Sequence, residues 1–406
     1  MAKKPRYQNV RMTNIEPLLS QSKIVKDLFD SYEEYKRSEI TNRRFTQSEM
    51  FRWLSPMRAA NILQVSELGR SAEGRTISLY PFGGGPTRVL LWSQMHGDEP
   101  TATMALLDVF NFFARRPDDP ITQAIQANLT LLIIPMLNPD GAERFTRRTA
   151  QLVDMNRDAV SLQTPEARIL KEVQGKYRPQ FGFNLHDQEP RLTVGPTKNV
   201  AAIALLAPAM DQSRTDNEVR LKAKKVAAVL TEVFNQLVPD HIAKYDDAYE
   251  PRAFGDRVQS WGTSTVLIES GGWPNDRDKM FIRKLNYVGL LAALYSIATG
   301  EYEKKDTAVY ESLPFNSRNL FDVIVRGVEF QGLPGTPPIR ADVAINVDEG
   351  NQEPDRKRLM AKVVDIGDLS PFGAFEERDG KGVSLRAADI QLEKQIPWTE
   401  LQLLLK

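Results

Sequence analysis

From about residue 61 to residue 305, short apolar runs alternate with longer helical stretches, and this alternation constrains the fold more than any other feature of the chain. Residues 76–80, 89–92, 129–134, 181–185, 203–206 and 265–268 are apolar runs of strand length that end in polar or Gly/Pro clusters. Residues 100–114, 165–173, 216–237 and 279–298 instead carry the longer periodicity of helices. Strands separated by helices predict an α/β fold, with a mixed central sheet flanked by helices. In such a sheet, ligands gather beyond the carboxyl ends of the strands.

The flanks read differently. Residues 1–60 predict an N-terminal helical extension: a polar lead, then a helix over 23–35 with Ile24, Val25, Leu28 and Phe29 near one face, then a second helix whose start at Thr46 has Glu49 three residues on. Residues 314–406 predict a small β domain of unknown role. Its β-prone runs at 321–325, 341–347 and 362–366 are divided by Gly, Pro and Asp, and 332–338 forms a loop within it. The expected organisation is thus 1–60, 61–305 and 314–406.

Composition narrows the function classes. Lys+Arg and Asp+Glu both number 53, which gives no electrostatic case for nucleic acid or an anionic membrane surface. No apolar run approaches the ~18 residues of a membrane span. The basic residues 1–10 lead into polar sequence rather than the apolar core of a signal peptide. The expectation is a soluble protein, with the cytoplasm slightly ahead of a periplasmic or secreted mature form. Oligomeric state is not readable. Cysteine is absent, so disulfides and thiolate metal sites are both excluded. Any metal must be held by histidine and carboxylate, and there are only three histidines: 96, 186 and 241.

Two of them end apolar runs. His96 follows residues 89–92, and Glu99 comes three residues later, a separation that lets an imidazole and a carboxylate converge on one ion. His186 ends the run 181–185. Taken together at the carboxyl edge of a sheet, His96, Glu99 and His186 make three ligands with a fourth position left for water, the open arrangement that zinc catalysis needs. His241 lies in a polar segment after a helix and reads as a surface residue. Glu269 closes the run 265–268 just before two glycines, where a carboxylate can act as general base. Arg147, Asn156 and Arg157 follow the turn Asn138-Pro-Asp-Gly141. Arginine suits both a carboxylate and a developing oxyanion.

These segments together resemble the M14 zinc metallocarboxypeptidase family, most closely its bacterial carboxypeptidase A-like branch. The family's order is present: Gly69-Arg-Ser-Ala-Glu-Gly-Arg75, His96-Gly-Asp-Glu99, Asn138-Pro-Asp-Gly141, Thr146-Arg147, Asp154-Met-Asn156-Arg157, Asn184-Leu-His186 and Glu269. The similarity covers about residues 61–300. It implies one zinc ion per chain on His96, Glu99 and His186, with Glu269 activating water and Arg147 steadying the oxyanion. Asn156 and Arg157 would hold the substrate's terminal carboxylate, and Asp154 would orient a ligating imidazole. The family's mobile tyrosine falls on Tyr249, with Tyr245 as the poorer match. The stretch between Glu99 and His186 is shorter than in the digestive enzymes, so their specificity loops do not transfer. Residues 252–257, with Gly255, Asp256 and two arginines, suggest acceptance of an acidic or polar terminal residue. The expected partner is a peptide or peptide-like substrate with a free carboxylate. The same site would serve an amidase of cell-wall peptides or an N-acyl amino acid deacylase, and a non-catalytic binding protein is the alternative of a different class.

Overall fold

A computed structural model describes residues 21–60, 62–349, 359–388, 390 and 392–405; the polar lead over 1–20 lies outside them. The main sheet is built from β1 (Ser66–Arg70), β2 (Thr76–Phe82), β3 (Thr87–Ser93), β4 (Leu129–Ile134), β5 (Phe181–Asp187), β7 (Ile203–Leu206), β8 (Ile242–Lys244) and β9 (Ser264–Ser270), while the two-residue β6 (Thr193–Val194) stands outside it. The strand order is β1-β2-β4-β3-β5-β9-β7-β8. Strands β4, β3, β5 and β9 run parallel at its centre, and β2 and β7 pair antiparallel on either side of them.

Strand periodicity sorts the side chains to the two faces. Val89, Leu91, Phe181, Phe183, Leu185, Val266 and Ile268 join one core. Leu90, Trp92, Leu132 and Ile134 join another. On β5 and β9 the positions left for that second face are Gly182, Asn184, His186, Leu267 and Glu269, which aligns the two polar ends.

The first core is covered by the long helices α4 (Thr101–Arg115), α8 (Glu218–Leu237) and α10 (Met280–Thr299), together with the N-terminal helices α1 (Gln21–Asp30), α2 (Tyr32–Tyr35) and α3 (Gln47–Ala59). Between α4 and β4 lies α5 (Pro120–Asn128), and α6 (Pro139–Arg144) follows β4. The second core is covered by α7 (Pro165–Tyr177) and α9 (Phe254–Ser260). Thr46 starts α3 with both halves of a capping box, its side chain accepting from Glu49 N and its own N–H donating to the Glu49 side chain. The helix expected over 23–35 breaks at Ser31 into α1 and α2. Asp108 of α4 and Arg283 of α10 form an ion pair with side chains 0 % and 1 % exposed. Tyr32 OH, at 3.0 Å, and Arg37 N, at 2.7 Å, donate to the same carboxylate. The N-terminal helices are therefore part of the main core, not a loose appendage.

After the short α11 (Ala308–Glu311), the C-terminal strands form a separate sheet. β10 (Asn316–Ser317) pairs with β6, whereas β11 (Leu320–Gln331), β12 (Ile339–Glu349), β13 (Leu359–Gly367), β14 (Gly373–Asp379), β15 (Ser384–Arg386) and β16 (Ile396–Pro397) form the sheet itself, and α12 (Trp398–Leu404) closes the chain. Its own apolar cluster includes Val323, Val325, Val343, Ile345 and Leu401. Arg191, in the loop after β5, anchors it: one guanidinium nitrogen lies 2.7 Å from Asp322 and 2.9 Å from Asp348. Among the described residues no helix is long and apolar enough to cross a membrane.

Candidate metal centre and active site

His96 and Glu99 lie in the turn between β3 and α4, and His186 lies on β5. The turn holds its shape through two glycines. A Cβ at Gly97 would lie 1.9 Å from the backbone of Gly141, and one at Gly141 would lie 2.5 Å from the Asn138 side chain, so only glycine permits this approach. Asn138 caps α6 by accepting from Gly141 N at 2.9 Å, and its amide donates to Met95 O at 3.1 Å. Asp140 draws in the turn between β1 and β2, accepting from Ser71 Oγ at 2.7 Å, Glu73 N at 3.0 Å and Arg75 Nη1 at 2.7 Å. Segments distant in sequence thus brace one another around His96.

The two imidazoles meet a single carboxylate. His96 Nδ1 is 2.7 Å from Glu99 Oε1, and His186 Nδ1 is 2.7 Å from Glu99 Oε2. All three residues are buried, and their ligand atoms lie within 4.8 Å of one another. Asp154 Oδ1 sits 3.1 Å from His96 Nε2, which leaves Nδ1 turned toward the cluster. A carboxylate behind an imidazole fixes ring orientation and tautomer in metal sites. Burial pushes the Glu99 carboxyl up, but the His96 and His186 charges and hydrogen bonds outweigh it and hold Glu99 well below the usual carboxylate range. Burial also lowers the His186 imidazole, favouring the neutral form that ligates. Against burial, Glu99 and Asp154 raise His96 to about 9. Two imidazoles and one ionised carboxylate, buried and converging on one point, form a donor set that fits a divalent cation such as zinc.

Glu269 pairs in register with His186 across β5 and β9. It is buried, and Oε2 has no partner among the described residues. Burial first, then the nearby Glu99 charge, holds its carboxyl well above the ordinary range, as suits a proton acceptor. Arg147 reaches in from the loop after α6. Its Nη1 is 3.0 Å from His96 Nδ1 and donates to Glu99 Oε1 at 3.1 Å, while Nη2 donates to Asp154 at 3.0 Å. Asn156 and Arg157 lie on a short 3-10 turn (Met155–Arg157) whose cap is Asp154, accepting from Asn156 N at 3.0 Å. Asn156 Oδ1 accepts from Phe254 N at the start of α9, at 2.8 Å. The Arg157 guanidinium is 41 % exposed and lies 3.6 Å from Glu250, open to an anion from solvent.

The tyrosines separate. Tyr245, just past β8, has its phenol raised to about 12, by the Glu269 charge first, then burial, then Glu99. Tyr249 is half-buried, and among the described residues no hydrogen bond or ring contact ties it to the cluster. His241 departs from the surface role expected for it: its Nδ1 bonds Val200 O at 2.7 Å and its ring packs edge-on against Trp273. It is half-buried and outside the ligand cluster. Two further charged residues were invisible to the sequence patterns. Lys279 is buried 3.3 Å from Asp187, and Glu250 pairs with Arg157.

The sequence model of one protein family, described as zinc carboxypeptidase (Peptidase_M14), matches residues 50–188. That segment is similar to the zinc carboxypeptidase family. The matched zinc carboxypeptidase stretch contains His96, Glu99, Arg147, Asp154, Asn156, Arg157 and His186, whereas Glu269 lies beyond it. Over 143 residues the chain is 29% identical to "Probable carboxypeptidase 2" of Arthroderma benhamiae, covering 35% of this chain and 27% of that protein. Over 144 residues it is 29% identical to "Carboxypeptidase SOL1" of Arabidopsis thaliana, covering 33% of this chain and 29% of that protein. The zinc carboxypeptidase match therefore spans a little over a quarter of the length of these curated relatives. Solved structures extend the likeness of fold past the matched segment. A metallo-carboxypeptidase from Burkholderia cenocepacia superposes with TM-score 0.50 at 18% identity, covering 63% of this chain and 70% of that one. Carboxypeptidase A from Helicoverpa armigera superposes with TM-score 0.52 at 13% identity, covering 70% and 81%. The mixed sheet with its flanking helices is thus the carboxypeptidase fold, and the C-terminal sheet is additional.

Proposed function

We propose that the protein is a zinc-dependent carboxypeptidase that releases the C-terminal residue of a peptide. The observation that carries this reading is the buried His96–Glu99–His186 cluster with Glu269 beside it in register on the neighbouring strand. One zinc ion per chain would be held by the Nδ1 atoms of His96 and His186 and by the Glu99 carboxylate. When bound, zinc supplies a Lewis acid that polarises water and the scissile carbonyl.

The chain's own residues do the rest. Glu269, disposed by burial to take a proton, removes one from the attacking water and passes it to the leaving amine. Arg147 donates to the oxygen that gains charge as water adds to the carbonyl. Arg157, with its half-exposed fork, binds the free carboxylate of the substrate, and Asn156 sets the position of that carboxylate against α9. Asp154 holds the His96 ring. Tyr245 takes the place of the family's tyrosine in preference to Tyr249, because its phenol feels the Glu269 charge.

The test is mass spectrometry of a mixed peptide library incubated with the protein, with and without a chelator. Loss of single C-terminal residues that the chelator abolishes is the expected outcome. An untouched library would sink the carboxypeptidase reading; cell-wall peptides and N-acyl amino acids would then be assayed.

A further inference from the structure

Lys279 stands where backbone preference does not explain it. It precedes α10 in the left-handed conformation, with φ 54°, which glycine and asparagine adopt more readily than lysine. Its side chain is 3 % exposed, and lysine is almost never buried to that extent without partners. Its partners all belong to the frame of the site. Nζ donates to Ser270 O, one residue past Glu269, at 2.9 Å. It lies 3.3 Å from Asp187 Oδ2, one residue past His186, and 3.4 Å from Gln188 O. Asp187 carries the connection onward. Its carboxylate accepts from Thr101 Oγ1 at 2.5 Å, and its backbone N–H donates to Glu99 Oε2 at 3.2 Å.

We infer that Lys279 is a positioning residue whose ammonium ties the end of β5 to the end of β9 and, through Asp187 and Thr101, to the start of α4. It thereby fixes His186, Glu269 and Glu99 relative to one another. The inference rests on the metallopeptidase reading above. One buried cation bridges two neighbouring strand ends that no short loop connects, and the lysine stem is long enough to do so from the helix behind them. Asp187 is the shared node: its main chain touches a candidate ligand, while its side chain is held by Lys279 and Thr101.

The test measures zinc dissociation constants by competition with a chromogenic chelator, together with kcat and KM on a peptide that the wild type cleaves. Lys279→Met is expected to bind zinc about 10- to 100-fold more weakly, the range seen when an outer partner of a metal ligand is lost. Its kcat should fall with KM nearly unchanged, because Asn156 and Arg157 are untouched. Where Lys279→Met does not fold, Thr101→Val and the pair Asp187→Asn/Lys279→Met, which strands no charge, carry the same expectation. Wild-type zinc affinity and kcat in the folded Lys279→Met protein, or in both of the other variants, overturns the inference. So does a rise in KM as large as the fall in kcat, which would mark general loosening. A wild-type protein that binds no zinc overturns the underlying reading instead.

Discussion

The Asp108–Arg283 pair yields an asymmetric prediction. Asp108 accepts from Arg283 Nε at 2.7 Å, Arg283 Nη2 at 2.6 Å, Arg37 N at 2.7 Å and Tyr32 OH at 3.0 Å. In Asp108→Ala the Arg283 guanidinium stays charged, because arginine does not deprotonate in proteins, and it is left buried without its anion. Removing one partner of such a pair costs about 3–5 kcal/mol. In Arg283→Met the stranded group is the carboxyl of Asp108, which burial already pushes above its ordinary range. It can take up a proton and become neutral, so this variant should lose less, about 1–3 kcal/mol at pH 5. The sign of its pH dependence follows. With its pKa raised in the folded state, Asp108 in Arg283→Met supports folding best at acid pH, and that support is lost as pH rises through the raised value. Asp108→Leu/Arg283→Met should recover part of the loss but not all, since Arg37 N–H and the Tyr32 hydroxyl still lack an acceptor. Urea denaturation at pH 5 and pH 8 measures each difference from the midpoint and slope. Equal losses in the two single variants, or a loss under 1 kcal/mol in Asp108→Ala, would refute the reasoning that this pair locks α4, α10 and the N-terminal helices together.

Three further outcomes are expected. Glu269→Gln should keep zinc bound but lower kcat by ~10²–10⁴, and single-turnover kinetics on metal-loaded protein checks this. Asp256 is raised to about 7 by burial; with an unfolded value near 4, it favours folding most below that pH and ceases to do so as pH rises through about 7. Asp256→Asn should flatten this part of the stability–pH curve and gain up to roughly 4 kcal/mol at pH 8, as thermal melts across pH would reveal. Arg191→Met should cost about 1.5–3 kcal/mol through its charge-assisted hydrogen bonds and speed proteolysis within residues 188–200, read by mapping the first cleavage sites.

The central strands were legible because apolar runs bounded by turn residues leave little choice of element. Leu129–Ile134 and Ile203–Leu206 match the expected 129–134 and 203–206; β2 and β5 extend theirs by two residues at one end, and β3 and β9 by one or two residues at both ends. The candidate ligands were legible because the two histidines follow apolar runs, with Glu99 three residues past His96, and because with no cysteine and three histidines few donor sets remain. Tertiary contacts were not. The side chain of Lys279 is explained by Asp187, 92 residues earlier, and nothing local marks it as interior. His241 owes its place to Trp273 and Val200. The tyrosine choice turned on distance along the sequence, whereas the phenol raised by the Glu269 charge is that of Tyr245. The break at Ser31 lies within an amphipathic run whose periodicity continues across it.

Arg191 reaches forward across 131 and 157 residues to its two aspartates. A polypeptide lengthening from its N-terminus has made every candidate ligand and Glu269 well before Asp348 exists. The loop beyond His186 can therefore gain its full clamp only after Asp348 has been made. Contacts that close such long stretches form late, since the entropy of closure must be met before they stabilise anything. Until then a growing chain carries the candidate reactive groups without the second half of this clamp.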